Sequence, residues 1–448
     1  MSKDIKIKKG LDLRLKGEAE KILEDAPRSK TYAIKPPDFH SVVPKLVVKK
    51  EGTKLLAGDE IFFSKYNDKL RFTAPVSGTL KEVVRGDQRK VMEVVIEADA
   101  ENSYKDFGKL NASTADAESV REKIFKSGCG AFLIQRPYDI VANPDDEPKA
   151  IFISSFNSAP LAPDMAFALE GKKEAFQEGI NALAKLTSGK VHLAVEKKGA
   201  SFFNDIQNVE ILKVSGPHPA GNVSVHIQKT APINMGEKVW TLGPEDVAII
   251  GNLFLTGNFK AERTVAVAGS DAKNRKYFKT FIGANSSDLI GTVDENIRII
   301  SGDVYTGQKL TNNQYVGFYD NMLTLIPEGN QHRLLGWLPF TYNNIPSMSH
   351  TSLSWMFPKK KYELNTNLNG EERALVVTGE MEQVMPLNIY PMQLLKACMS
   401  GNIEKMENLG IYEVAPEDFA LIDYTNTSKL EAQEVIRLGL DLMITEVG

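Results

Sequence analysis

The side chains best suited to chemistry are few and widely spaced. Six histidines (His40, His192, His218, His226, His332 and His350) lie far apart, with no His-x-x-x-His or His-Glu pairing. A zinc centre needs about four ligands brought together, and this spacing supplies no such motif. His218, set between Pro217 and Pro219, reads as a rigid loop residue. Ser201, Ser215 and Ser224 lack the glycine-flanked setting of a nucleophile elbow, so acyl transfer finds no support. Cys129 and Cys398 are the two cysteines, too few for a disulfide framework or a thiolate-held cluster, and they fit a reducing compartment. Cys129 lies among the glycines of Ser127–Leu133 and reads as a small buried hydrophobe rather than a reactive thiol.

Composition narrows the classes further. At 448 residues the chain can form about three domains of ~150 residues, each large enough to bury a core. It carries 54 basic and 58 acidic residues, a net charge of −4, so no basic footprint points to nucleic acid or an anionic lipid surface. The start, Met-Ser-Lys-Asp-Ile-Lys-Ile-Lys-Lys, has no apolar export core, and the expectation is a cytoplasmic protein. No run approaches the ~18 consecutive apolar residues of a spanning helix, so membrane association is expected through partners only.

Local patterning then places the elements. Short apolar runs at Leu46–Val48, Leu55–Leu56 and Ile61–Phe63, the polar turn Lys65–Lys69, the stretch Arg71–Leu80 and the run Val91–Glu97 read as strands of a small sandwich. This sandwich resembles the barrel-sandwich hybrid of biotinyl and lipoyl carriers. Lys65 and Lys69 flank the turn without the methionine or Asp-Lys-Ala context of those carriers, so a solvated turn is the reading and a carrier module the alternative. A helix follows with Val120, Ile124 and Phe125 on one face and Gly128 as a left-handed stop. Ala150–Ser154, Glu174–Leu186 and Val191–Val195 form a strand–helix–strand unit, which implies a parallel sheet covered by helices, with a further strand at Val209–Val214 and a helix opening at Pro244. Thr264–Ala268, Tyr277–Ile282 and Ile297–Ser301 read as strands around a short helix at Ser286–Ile290. From Gln383 the pattern is helical. Its last helix, Leu430–Met443, is expected to be capped by Ser428 and Glu431 and to bury Leu430, Val435, Leu438 and Leu442. The expected architecture is multidomain α/β and β: a barrel-sandwich hybrid domain at 1–102, a Rossmann-like three-layer α/β domain at 103–256, a β-grasp domain of the soluble-ligand-binding type at 257–332 and a mainly helical domain at 333–448. Phe202–Phe203 and Trp355–Phe357 are apolar clusters that suit either partner surfaces or core packing.

Five separated segments carry a resemblance: Ile7–Leu13, Phe72–Gly78, Phe254–Gly257, Ile300–Gly302 with Gly307, and Leu335–Trp337. On them the chain is identified as a member of the A-subunit family of the sodium-translocating NADH:quinone oxidoreductase. The resemblance implies a peripheral subunit on the cytoplasmic face of the bacterial inner membrane. It also implies a six-subunit complex that oxidises NADH, reduces a quinone and exports sodium. Its partners would be the other five subunits, chiefly the membrane-embedded B subunit, with FMN, riboflavin and iron–sulfur centres held by those partners. The same segments are similar to the C subunit of the Rnf complex and to the flavin-binding subunit of respiratory complex I. Those relatives hold flavin on a glycine-rich loop, where this chain has Ser127-Gly128-Cys129-Gly130-Ala131-Phe132-Leu133, with Leu133 in place of a third glycine. Their acidic Glu-x-Glu-Pro-type loop is replaced by Ser155-Phe156-Asn157-Ser158-Ala159-Pro160, and the cysteine clusters of the Rnf relative are absent.

The expectation is a chain with no redox cofactor of its own. Its crevice at the strand ends would be more apolar than theirs, with Phe156, Asn157 and Ser158 as candidates for contact with a quinone, unless side chains fill the space. The alternatives are an independent quinone- or flavin-binding enzyme and the carrier module. Intact-mass measurement separates the last: the chain is expected at its sequence mass of 49.6 kDa, and a lipoyl or biotinyl increment on Lys65 or Lys69 would favour a carrier.

Overall fold

A computed structural model describes residues 3–199, 201–329, 331, 334–335, 345–348 and 353–448. His332, His350, Gly336 and Trp337, singled out in the sequence, lie outside the described residues. The chain begins by visiting two sheets built mainly from later residues. Strand β1 (Lys3–Lys6) pairs in parallel with Leu212–Ser215, and β2 (Leu23–Asp25) pairs in parallel with Tyr277–Lys279. Sequence patterning had put Ile5 onward in the sandwich. So short a strand takes its place from whichever edge is open to it, and period alone does not name that edge.

The sandwich proper follows. Its four-stranded sheet contains β3 (Thr31–Ile34), and its three-stranded sheet contains β4 (Pro44–Leu46). Strand β5 (Lys54–Leu55) belongs to the first sheet, while β6 (Glu60–Ser64) and β7 (Asn67–Thr73) form a hairpin in the second. Strands β8 (Gly78–Arg85) and β9 (Val91–Ala98) complete the first. The expected turn tightens to two residues, Lys65 and Tyr66. Lys69 is committed to an ion pair with Asp145 at 2.6 Å, and Asn67 also donates to Asp145, which ties the hairpin to the next domain. Phe62 and Phe72 stack inside, ring centroids 4.6 Å apart.

Helix α1 (Ala117–Lys126) is capped by Asp116, whose carboxylate accepts from the Ser119 amide, and ends before Gly128 at φ +90° as expected. The sheet after it has seven strands. Antiparallel β10 (Ile134–Arg136) and β11 (Ile140–Val141) form one edge. Strand β12 (Ala150–Ser154) is central; α2 (Met165–Ala168) and α3 (Lys173–Leu183) lead to parallel β13 (Lys190–Glu196), the strand–helix–strand unit read from sequence. Strand β14 (Glu210–Ser215) comes next, then α4 (Val223–Thr230), β15 (Val239–Leu242) and α5 (Pro244–Thr256). The order β1-β14-β13-β12-β15-β10-β11 is parallel from β1 to β15 and antiparallel beyond.

Alternation along β12 explains the assembly. Ile151 and Ile153 point into a core shared with α3, α5 and the sandwich, while Ala150 and Phe152 point into a second core shared with the C-terminal helices. Both faces are covered, as a parallel sheet requires. Phe203 joins the first core against Phe176, ring centroids 5.6 Å apart, so Phe202–Phe203 is packing rather than partner surface.

The third sheet is mixed and six-stranded: β16 (Glu262–Ala268), β17 (Tyr277–Phe281), β18 (Ile297–Ser301), β19 (Gln308–Leu310) and β20 (Met322–Pro327), with β2 on the edge and α6 (Ser286–Ile290) between β17 and β18. Arg263 on β16 pairs with Asp246 on α5 at 2.8 Å, both buried, and the neighbouring Glu245 accepts from the Thr264 amide. The C-terminal helices are α7 (Glu380–Val384), α8 (Pro391–Met399), α9 (Ile403–Asn408), α10 (Ala420–Thr425) and α11 (Ala432–Glu446).

Helix α11 corrects the sequence reading. Its start is held by Asp423, which accepts from the Ala432 and Gln433 amides, while the Ser428 hydroxyl bonds the Ala374 carbonyl instead of capping. Its fully buried face is Ala432, Ile436, Leu440 and Met443; Leu438 is 59% exposed, and Leu430, Val435 and Leu442 are only partly covered. Leu440→Ala should therefore cost about 2–5 kcal/mol and Leu438→Ala no more than about 0.5 kcal/mol in urea unfolding, and the reverse order would restore the sequence-derived face.

Candidate functional site

A cleft of about 220 Å³ opens at the carboxyl end of β12, where three regions meet. The α/β domain contributes Ser154, Phe156, Asn157 and the loop around His218. The third domain contributes Asp303 and Tyr305, and the C-terminal segment Glu417. Two loops are locked together at its base. The Ser154 hydroxyl lies 2.8 Å from the Gly221 carbonyl and 2.9 Å from that of Phe156, and the Gly221 amide donates to Ser158 Oγ at 2.8 Å. A Cβ on Gly221 would meet Ser158 N at 2.6 Å, so the close approach requires glycine there.

The three residues expected to contact a quinone separate here. Phe156 and Asn157 line the cleft, with the Asn157 Oδ1 already accepting from the Ala159 amide, which leaves its Nδ2 for a ligand. Ser158 turns to His218 instead: Oγ lies 3.0 Å from Nδ1. Oγ also accepts from the Gly221 amide, and which of the two donates across the Ser158–His218 contact depends on the imidazole tautomer. Nε2 is buried with no hydrogen-bond partner among the described residues, as is the Tyr305 hydroxyl, and the two rings stack with centroids 4.9 Å apart. Burial pushes the His218 imidazole down to about 4 and holds the Tyr305 phenol well above its usual range, so both are neutral near pH 7.

His218 is the rigid loop residue its prolines suggested. Its backbone amide donates to Asp12 Oδ1 at 2.8 Å and its carbonyl accepts from the Leu11 amide at 2.9 Å, so the N-terminal segment fastens it from below. Tyr305, Asp303 and Glu417 were not singled out in the sequence. The available signal for the first two was Gly302 and Gly307, which bracket them; Gly302 adopts φ +97°. Glu417 accepts from Arg136 at 2.9 Å, and Arg136, buried at the end of β10, also meets Asp139 at 3.2 Å and the Ser224 hydroxyl at 3.0 Å. Burial raises the Glu417 and Asp418 carboxyls, with Arg136 opposing it.

The Ser127–Leu133 loop is packed shut. A Cβ at Gly128 would meet Thr73 Oγ1 at 2.3 Å and one at Gly130 would meet the Phe125 ring at 2.3 Å, while Phe132 stacks on Phe318 with centroids 5.2 Å apart. The Cys129 thiol is fully buried there and pushed up to about 12, which leaves it protonated and unreactive. Among the described residues no group of three or more His, Cys, Asp and Glu side chains is arranged to hold a metal. His192 instead lies 3.2 Å from Glu210 and stacks on Phe152.

Three family models match: an "NqrA N-terminal barrel-sandwich hybrid domain" over residues 5–99, an "NqrA second alpha/beta domain" over 115–259 and an "NQRA C-terminal domain" over 264–312. Over 446 residues, 98% of this chain and 99% of the relative, it is 33% identical to the A subunit of the Na(+)-translocating NADH-quinone reductase of Marinomonas sp. (strain MWYL1). The chain belongs to the A-subunit family of Na+-translocating NADH-quinone reductases. Members of the same name in Cellvibrio japonicus and Neisseria meningitidis serogroup A are each 33% identical, over 97% and 99% of this chain and 98% and 100% of theirs. A chain of an NAD+-reducing [NiFe]-hydrogenase in the H2-reduced state is 12% identical with a TM-score of 0.37 over 48% of each chain, too slight a likeness to bear on the argument. The family's barrel-sandwich, second α/β and C-terminal domains agree with the multidomain α/β and β architecture.

Buried histidines give this A-subunit family member a testable pH signature. His226, whose Nε2 donates to the Ala220 carbonyl at 2.8 Å, is also pushed down to about 4 by burial. Above the ordinary value of 6.5 the imidazole is neutral folded or unfolded; between 6.5 and 4 only the unfolded chain takes the proton, so stability is lost as pH falls. Glu417 and Asp418, raised, act in the opposite sense, so the comparison must be between variants. His226→Leu should lose about 3 kcal/mol less stability than the parent between pH 6.5 and 4 in urea unfolding, and equal losses would rule out a buried neutral imidazole.

Proposed function

We propose that this chain is the peripheral A subunit of a sodium-pumping NADH:quinone oxidoreductase, attached on the cytoplasmic face of the membrane through protein contacts with its membrane neighbour, chiefly the B subunit. NADH, FMN, riboflavin and iron–sulfur chemistry belong to the partner subunits in this reading. The present chain contributes a cleft that accepts the quinone ring. Among the described residues no helix is long and apolar enough to cross a membrane, which supports attachment through partners. The packed Ser127–Leu133 loop supports a chain without its own flavin, because a ring placed there would displace Thr73 and Phe318.

The observation that carries the quinone reading is the composition of the cleft wall. Phe156 gives a planar apolar surface, and the partnerless Nε2 of neutral His218 would donate to a carbonyl oxygen in the tautomer that protonates it. A quinone offers a flat ring with two acceptor oxygens and no donor in its oxidised form, so neutral donors serve it better than carboxylates do. That is the chemical sense of replacing an acidic loop by Phe156, Asn157 and Ser158 at the strand ends. Ser158 acts through His218 by holding its ring in place. In the same reading the α/β domain is Rossmann-like and the third sheet a β-grasp module of the soluble-ligand-binding type.

The test is quinone binding to the isolated full chain, followed by titration with a water-soluble short-chain quinone. Replacing Phe156 and Asn157 together by alanine should weaken binding by about 1–3 kcal/mol, one ring contact and one hydrogen bond. Unchanged affinity in a folded double variant would move the quinone site to the membrane neighbour. Free sedimentation of the chain away from intact membrane subunits would refute the assembly itself.

A further inference from the structure

One wall of the cleft carries more carboxylate than its cation can balance. Arg136, itself buried, faces three acids: Glu417 at 2.9 Å, Asp139 at 3.2 Å, and Asp418 next to Glu417 in the chain. Arg437 approaches from α11, but its guanidinium donates to the Tyr138 and Asp139 carbonyls and pairs with Asp441 at 2.8 Å. The contacts from α4 and its cap are neutral: the Ser224 hydroxyl accepts from Arg136, and Asn222 Nδ2 donates to Asp418 at 3.3 Å. One guanidinium among three carboxyl groups leaves an excess of negative charge, and a buried site removes such an excess by keeping a proton. Burial raises both Glu417 and Asp418, and between such neighbours the proton belongs to the pair. The two face different surroundings. Asp418 is 3% exposed and lies behind the wall, whereas the Glu417 side chain lines the cleft and is 38% exposed. One Glu417 oxygen accepts from Arg136; the other has no hydrogen bond among the described residues.

We propose that Glu417 passes the proton held by this pair to a quinone oxygen, an inference that rests on the reading of the cleft as the quinone contact. Reduction of a quinone to a quinol takes two electrons and two protons. The electrons come from NADH through the partner subunits. As they arrive, the O–H bond of the Glu417 carboxyl breaks and an O–H bond forms on the nearer quinone oxygen. Water supplies the second proton to the other oxygen and then reprotonates the pair. The carboxylate left behind already has its counter-ion in Arg136. The other titratable groups of the cleft fit the task less well. Asp303 accepts from the Tyr305 and Thr306 amides and the Thr306 hydroxyl, burial leaves His218 neutral near pH 7, and the Tyr305 phenol is held well above its usual range.

The test is steady-state reduction of a short-chain quinone by the assembled complex from about pH 6 to about pH 9, beside quinone titration of the full chain. In the parent the rate should fall as pH rises and the pair loses its proton. Glu417→Gln keeps an acceptor for Arg136 but has no acid proton; it should lower kcat about 100-fold and abolish that alkaline limb, with quinone affinity within about twofold of the parent. Asp418→Asn removes one negative charge from behind the wall and should move the limb to lower pH at unchanged affinity, a shift that a purely structural Glu417 would not produce. An unchanged kcat and pH profile in folded Glu417→Gln would overturn the proposal, and so would lost affinity, which would make Glu417 a binding group. Should Glu417→Gln fail to fold or assemble, an unmoved limb in Asp418→Asn overturns it. A parent chain that binds no quinone is a separate failure, because it removes the site itself before any proton is assigned.

Discussion

A parallel β-sheet cannot leave either face in water, and that constraint organises this molecule. Strand β12 alternates Ile151 and Ile153 toward one core with Ala150 and Phe152 toward another, so a single five-residue strand demands two coverings. Helices α3 and α5 with the sandwich supply the first; α4 and the C-terminal helices supply the second. The C-terminal helices are in this sense the missing layer of the α/β domain. The N-terminal strand β1, 200 residues and more from its partner β14, is drawn in by the same sheet's open edge.

The cleft is a consequence of that convergence. Covering both faces brings the third domain and the C-terminal segment to the carboxyl ends of the strands, and His218 stands where they meet. It is held by Asp12 and Leu11 from the N-terminal segment, by Ser158 from the loop after β12 and by the ring of Tyr305 from the third domain. Arg136, itself buried, does the parallel task on the other wall, pairing with the partly exposed Glu417 and Asp139, whose removal would leave a buried guanidinium uncompensated. The site is therefore rigid because it is where the separate parts are fastened.

Local order was legible in the sequence. The β6–β7 hairpin, the Gly128 stop and the β12–α3–β13 unit depend on neighbours within a few tens of residues, and period and turn chemistry report them. Phase was harder. Two overlapping stripes run along α11, and Val435, Leu438 and Leu442 fit helical spacing as well as Ile436, Leu440 and Met443; the tie is broken by Gly439, where a Cβ would meet Cys398 Sγ at 2.6 Å. The loop after β12 was singled out because its residues differ from an acidic pattern, yet Tyr305 and Glu417 reach the same cleft from positions about 150 and 260 residues away, and no local signal carries such a meeting. Trp355–Phe357 remained open between core and surface, and the structure puts it at the surface.

We propose that the cleft at the carboxyl end of β12 is a quinone contact formed by Phe156, Asn157 and His218. The most direct measurement is a structure of the whole complex with a quinone-site inhibitor bound. The account predicts the inhibitor's ring against Phe156, with an acceptor oxygen within hydrogen-bond distance of His218 Nε2. An inhibitor seated wholly within the membrane neighbour, with side chains of this chain closing the cleft, would contradict it.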